Sequence, residues 1–241
     1  MIEIVDGIHR LGTSYHNFYV ITEGGKATVI DAGCSKEWPK LVAGLGQIGL
    51  APDDVEAIIA THSHADHLGF GREAANAGVT IKVHEAEEAR ALGRYQGKSA
   101  VAVSDLPLLR PGTWKFLIAV LRVGITKRPP LDSVETFTDG ETLDLPGSPT
   151  VIHTPGHTEG HASFHLAKRG VLFSGDALVT RDILGSRTLR AQMLGDEFHN
   201  DPARARESLG RLAGIDAHLI LPGHGDPLHT SPADAVRAVR A

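Results

Sequence analysis

Between Thr61 and Gly69 the chain reads Thr-His-Ser-His-Ala-Asp-His-Leu-Gly, placing three histidines and one aspartate within six positions. The segment follows a short apolar, β-prone run at 57–61. Three further residues stand at the same point relative to apolar runs: His157 in Thr154-Pro155-Gly156-His157-Thr158, Asp176 in Phe173-Ser174-Gly175-Asp176, and His224 in Leu221-Pro222-Gly223-His224-Gly225. Glycine beside each lets the backbone turn the side chain toward a common centre. A chain with this pattern must gather at least four strand ends in one place. Layered α/β domains do so, and build their sites at strand ends.

The rest of the chain fits such a fold. Strands are expected at 15–22 and 27–31 around the hairpin signal Glu23-Gly24-Gly25-Lys26. A helix is expected at 37–48, with Leu41, Leu45 and Ile48 on one face. Then come a helix at 67–77, starting at Asp66 and His67, a strand at 79–83 and a helix at 85–92. Residues 93–131 break the alternation with Pro107, Pro111, Pro129 and Pro130 around an apolar stretch at 114–125. This reads as an insertion with one helix, either covering a sheet edge or closing over the site as a lid. Strands follow at 134–137, 141–145 and 150–153, and a hairpin at 162–166 and 171–174. Asp201-Pro202 opens a helix to about residue 213. A strand at 218–221 precedes a last helix from Ser231-Pro232. Each half carries strands, a helix and a histidine-bearing loop after a strand, an architectural duplication within one expected domain over 1–241.

Composition narrows the function. There are 24 Lys plus Arg against 29 Asp plus Glu, a formal charge of −5. No basic excess points to a nucleic-acid partner. No apolar run approaches the roughly 18–20 residues of a membrane span, and residues 1–10 lack a signal-peptide core. One cysteine, Cys34, precludes an intrachain disulfide. These features together predict a cytoplasmic protein acting on a small molecule, with no nucleic-acid or membrane partner.

Histidine is abundant, 14 residues against 3 tyrosines, and it is the commonest metal ligand. His62, His64, Asp66, His67, His157, Asp176 and His224 are too many for one tetrahedral ion. They suit two metals, roughly 3.5–4 Å apart, bridged by a carboxylate and a hydroxide. Imidazole and carboxylate favour zinc, with iron or manganese as alternatives.

This His-x-His-x-Asp-His element, with the later His, Asp and His, resembles the metallo-β-lactamase-fold hydrolases over nearly the whole chain, from Asp31-Ala32-Gly33 to His224. The resemblance implies a four-layer αβ/βα sandwich: two mixed β-sheets face to face, helices on the outer faces. It implies that His62, His64 and His157 hold one metal, Asp66, His67 and His224 the other, and that Asp176 bridges them. The implied activity is hydrolysis by a metal-bridging hydroxide. Asp31 resembles the family's acid that orients a histidine ligand, and His161 the second histidine of its Gly-His pair.

Among the remaining residues, Thr158 is a candidate donor at the site and His199 a candidate substrate contact. His153 and His165 read as satisfied sheet residues, His84 as a surface residue, Cys34 as a packed small residue. His9, His16, His218 and His229 show no partner in the sequence. Trp114, Phe116 and Leu117 either wall an acyl pocket or pack in the core.

Departures from subfamilies guide the choice of reaction. The bridging Asp176 differs from the usual pattern of the true β-lactamases. Val179 stands where quorum-quenching lactonases usually have tyrosine. Thr-His-Ser-His-Ala-Asp-His and Thr-Pro-Gly-His-Thr-Glu-Gly-His are similar to glyoxalase II thioesterases, although the helical glutathione-binding domain of those enzymes is not expected here. Persulfide dioxygenases of the family use one iron and fewer ligands. The expectation is therefore a dinuclear zinc-dependent hydrolase of a small ester, thioester or lactone. The alternatives are a phosphodiesterase of the same fold, a diiron oxidoreductase and a non-catalytic metal-binding protein.

Overall fold

The computed structural model describes residues 1–13, 15–95, 113, 114, 118, 129–181 and 187–240. The chain as far as residue 137 forms one sheet. Its strands lie in sequence order: β1 (Ile2–Val5), β2 (Ile8–Gly12), β3 (Asn17–Glu23), β4 (Lys26–Ile30), β5 (Val55–Ile59), β6 (Thr80–His84) and β7 (Glu135–Phe137). The pairs from β1 to β4 are antiparallel. Those from β4 to β7 are parallel and need crossovers. Two of these contain helices α1 (Trp38–Gln47) and α2 (Gly71–Asn76). A short helix α3 (Glu88–Ala91) follows β6.

The second half forms the facing sheet, ordered β14 (Leu228–His229), β13 (Leu219–Pro222), β10 (Val171–Gly175), β9 (Ala162–Leu166), β8 (Thr150–His153). Helices α4 (Pro202–Ala213) and α5 (Pro232–Arg240) accompany it, and β11 (Val179–Arg181) pairs with β12 (Arg187–Gln192) as a separate ribbon.

The apolar residues sort into three buried layers. In β3, Phe18 and Val20 face Leu41 and Leu45 of α1, while Tyr19 and Ile21 face the other sheet. In β10, Val171 and Phe173 point between the sheets, and Leu172 points toward Leu209 and Leu212 of α4. Strands buried on both faces show near-continuous apolar sequence, and the period-2 alternation decides which layer each side chain fills. The result is helices, sheet, sheet, helices: the expected αβ/βα sandwich, with one sheet from each part of the chain.

Local differences have identifiable causes. The helix expected at 67–77 begins only at Gly71, so Asp66 and His67 lie in a turn. The Gly69 and Phe70 amides bond across to the carbonyls of Gly33 and Ala32 rather than along a helix. The strand expected at 141–145 is a single bridge, Thr142 to Thr150. The Leu145 amide bonds back to Leu143, closing a turn into Pro146-Gly147. Asp201 caps α4 as expected, its carboxylate accepting from the Arg204 amide at 3.0 Å, with Pro202 first in the helix. Most of 93–131, with Phe116 and Leu117, lies outside the described residues, and so does the lid expectation. Trp114 is 56 % exposed, which removes it from the core. No helix among the described residues is long and apolar enough to cross a membrane.

Candidate metal centre

All seven histidines and aspartates singled out above come together. His62, His64, Asp66 and His67 occupy the loop after β5, and His157 the loop between β8 and β9. Asp176 follows β10, and His224 follows β13. His62, His67, His157, Asp176 and His224 are buried. His64 and Asp66 are half-buried, the open side of the cluster.

Three ring nitrogens face one another: His62 Nε2 to His64 Nδ1 at 3.0 Å, His157 Nε2 to His64 Nδ1 at 3.0 Å, and His157 Nε2 to His62 Nε2 at 3.2 Å. Asp66, His67 and His224 make a second group, with Asp66 Oδ2 3.8 Å from His67 Nε2 and 3.7 Å from His224 Nε2. Asp176 reaches both groups. Its Oδ2 lies 3.3 Å from His157 Nε2 and 3.1 Å from His224 Nε2, and its Oδ1 lies 3.5 Å from His67 Nε2.

A neutral imidazole offers one donor and one acceptor. Three ring nitrogens in mutual contact cannot all be satisfied by each other's protons. His67 Nε2 and Asp176 Oδ1 are buried without a hydrogen-bond partner among the described residues, a cost natural interiors avoid. Cations at the centre of each group remove both problems, so the donor set fits two metal ions.

The charges divide the donors into those ready to bind a metal ion and those, His67 among them, that must first give up a proton. Burial opposes ionisation of Asp176, but His224 and His67 outweigh it and hold the carboxyl well below its usual range. Burial, reinforced by neighbouring histidines, holds His62 neutral. His157 is also held well below the usual imidazole value by burial, against the pull of Asp176. In the metal-free chain burial works against a charged His67, yet Asp176, Asp31 and Asp66 raise it to about 10.

Surrounding groups fix the cluster. Asp31 has left-handed backbone, φ 65°, a conformation that strains a side-chain-bearing residue. It presents Oδ2 to His67 Nδ1 at 2.8 Å and Oδ1 to the Thr61 amide at 2.7 Å. His161 Nε2 accepts from the Asp176 amide at 2.9 Å, and its Nδ1 meets Thr154 Oγ1 at 2.8 Å. His199 is buried, its ring 5.4 Å from that of His157.

Several expectations need correction. Thr158 Oγ1 is buried without a partner among the described residues, so it donates to none of the cluster. His84 is buried because its ring stacks on that of His153 at 4.1 Å and meets Phe137 edge-on. His16, expected without a partner, contacts Glu37 and Cys34, both distant in sequence.

Two contributors were not picked out from the sequence. Buried Glu87 accepts from the Ser63 amide at 2.9 Å and the Gly160 amide at 3.1 Å, clamping two histidine-bearing loops. The Tyr15 carbonyl lies 2.5 Å from His224 Nδ1, and the Arg181 guanidinium lies over the Tyr15 ring. Both depend on tertiary contacts; only the acidic run 85–88 hinted at Glu87.

Comparison with known proteins agrees with this geometry. The sequence profile of the Metallo-beta-lactamase superfamily matches residues 11–224. The "Probable metallo-hydrolase YflN" of Bacillus subtilis is 29 % identical, over 94 % of this chain and 86 % of that protein. The "N-acyl homoserine lactonase AttM" of Azorhizobium caulinodans is 28 % identical, over 87 % of this chain and 81 % of its own. Among solved structures, TTHA1623 "in a di-iron-bound form" superposes with a TM-score of 0.63 at 26 % identity, covering 96 % of this chain and 97 % of that one. With a profile match over nearly its whole length and a layered fold carrying a clustered His/Asp centre, the chain belongs to the metallo-beta-lactamase superfamily.

Proposed function

We propose that the chain is a hydrolase that works with two divalent metal ions, zinc first, and cleaves a small ester, thioester or lactone. One observation carries the reading: seven His and Asp side chains from four strand ends form two donor groups with Asp176 shared between them. His62, His64 and His157 would hold one ion, Asp66, His67 and His224 the other, and Asp176 would touch both. When bound, the ions supply Lewis acidity, which lowers the pKa of water and polarises a carbonyl oxygen.

The chain's own residues supply position. Asp31 fixes the His67 ring, and His161 fixes the backbone of Asp176. Asp66, 20 % exposed, is the carboxylate that substrate and water can reach, and it orients the attacking water. No protein nucleophile is needed. His199, beside His157, borders the space where a substrate would lie. The metallo-hydrolase name of one relative supports metal-dependent hydrolysis, the lactonase name of another supports acyl chemistry, and the di-iron form of TTHA1623 keeps iron as the alternative metal. The absence of a basic excess disfavours a nucleic-acid phosphodiester.

Initial rates of the zinc-loaded protein on a thioester, a lactone, an aryl ester, a β-lactam and a phosphodiester test the reading. A preference of about 100-fold for an acyl substrate, roughly 2.7 kcal/mol in the transition state, is the expected result. A similar preference for the phosphodiester would overturn the substrate class.

A further inference from the structure

Behind the second donor group lies another convergence of metal-binding side chains. His16 precedes β3, Cys34 ends the Asp31-Ala32-Gly33-Cys34 turn after β4, and Glu37 precedes α1. All three are buried, at 1 %, 0 % and 4 % exposure. His16 Nε2 is hydrogen-bonded to Glu37 Oε2 and lies 3.5 Å from Cys34 Sγ. Glu37 Oε2 also accepts from the Cys34 amide at 3.0 Å, and Oε1 accepts from Lys40 Nζ at 2.6 Å. Thr13 Oγ1 lies 3.2 Å from His16 Nδ1.

This is not a nucleophilic triad, in which thiol and carboxylate would contact opposite nitrogens of the imidazole. Here Glu37 Oε2 already holds Nε2 and Thr13 Oγ1 already faces Nδ1, while Cys34 Sγ lies 3.5 Å from Nε2 and 3.8 Å from Nδ1, aimed at neither nitrogen alone. We propose that His16, Cys34 and Glu37 form a third metal site, for a single thiophilic divalent ion such as zinc, separate from the seven-residue cluster. A tetrahedral ion with Zn–S about 2.3 Å and Zn–N about 2.0 Å places sulfur and nitrogen about 3.5 Å apart, the present Sγ–Nε2 distance; Sγ, now 3.8 Å from Nδ1 as well, swings toward the Nε2 side on binding. A thiolate–imidazole–carboxylate set selects zinc or a similar transition metal over magnesium or calcium. Water completes the fourth position. Binding replaces the Nε2–Glu37 hydrogen bond by bonds from both groups to the ion, leaves the imidazole proton on Nδ1 facing Thr13 Oγ1, and releases the thiol proton to solvent. Burial, with Asp66 and Glu37 nearby, pushes the free thiol up, and the same negative surroundings favour a cation.

The role is structural. The turn ending in Cys34 bonds to the His67 loop through the Ala32 amide to the His67 carbonyl (2.5 Å) and the Gly69 amide to the Gly33 carbonyl (2.8 Å). The residue before His16 holds His224 through its carbonyl. An ion here ties together the two loops behind His67 and His224.

Cys34 is the chain's one thiol, so thiolate–metal spectroscopy reports on this site alone. The metal-free chain is titrated with cobalt(II), following sulfur-to-cobalt charge-transfer absorption in the near ultraviolet, with bound metal counted by elemental analysis. The expected result is three ions per chain in the wild type, with the absorption present. In Cys34→Ser, two ions remain and the absorption is lost. Absence of the band in the wild type with two ions bound would overturn the proposal, as would a band that persists in Cys34→Ser. The wild-type spectrum decides even if the variant folds poorly. Hydrolysis rates play no part, so failure here leaves the proposed activity standing.

Discussion

Glu87→Gln probes how the scaffold presets the cluster. Glu87 is fully buried, and each carboxylate oxygen accepts one amide, from Ser63 between His62 and His64 and from Gly160 beside His161. Glutamine keeps one acceptor oxygen and turns an NH2 group against the other amide. A hydrogen bond to a charged group contributes about 1.5–3 kcal/mol, and a buried donor left unpaired costs about 1–3 kcal/mol. One bond lost, one weakened, and the loss of the carboxylate's ion pair with buried Arg90 at 3.8 Å give an expected destabilisation of about 3–5 kcal/mol. The freed loops should also lose register at His62, His64 and Asp176, lowering zinc affinity by about 10–100-fold, the usual effect of removing a partner that orients a metal site. Urea unfolding of the metal-free chain reads the first quantity, and competition with a chromophoric chelator reads the second. A stability loss with wild-type zinc affinity would mean that Glu87 holds the fold and not the site.

Other substitutions test neighbouring parts of the account. Gly223→Ala puts a Cβ against Asp176 Oδ1 and His67 Cε1; bound metal should fall while circular dichroism stays native, and full metal content would contradict this geometry. Asp31→Asn weakens the anchor of His67 and should lower zinc affinity by about 10–100-fold, read by the same chelator competition. Burial and the adjacent His153 hold His84 at about 4 against an unfolded value of 6.5. Its folded value is depressed, so its contribution is full above pH 6.5 and falls as pH drops toward 4, by at most about 3 kcal/mol and nearer 1 after solvent screening. His84→Phe should flatten that part of the metal-free stability profile relative to wild type; parallel profiles would contradict the assignment.

The parts of the site legible in the sequence were those with local rules. Thr-His-Ser-His-Ala-Asp-His, three glycine-flanked positions after apolar runs, and Asp201-Pro202 each declare themselves within a few residues, and the structure brings the seven side chains together. The supports were not legible, because their partners are remote: Glu87 meets residues 63 and 160, and His16 meets residues 34 and 37. His84 looked exposed because nothing local reveals that β8 stacks His153 upon it. The late start of α2 has the same origin, since Gly69 and Phe70 spend their amides on the turn after β4. The ribbon of β11 and β12, in a stretch without a clear apolar period, gave no signal either.

The most direct test of the central claim is a zinc titration of the metal-free chain, with hydrolysis of the preferred acyl substrate followed at each equivalent. Negligible rate is expected without metal and full rate once both ions of the seven-residue cluster are bound, with Asp176→Ala losing metal and nearly all turnover together. Full turnover by the metal-free chain, or two bound ions with wild-type rate in Asp176→Ala, would contradict it.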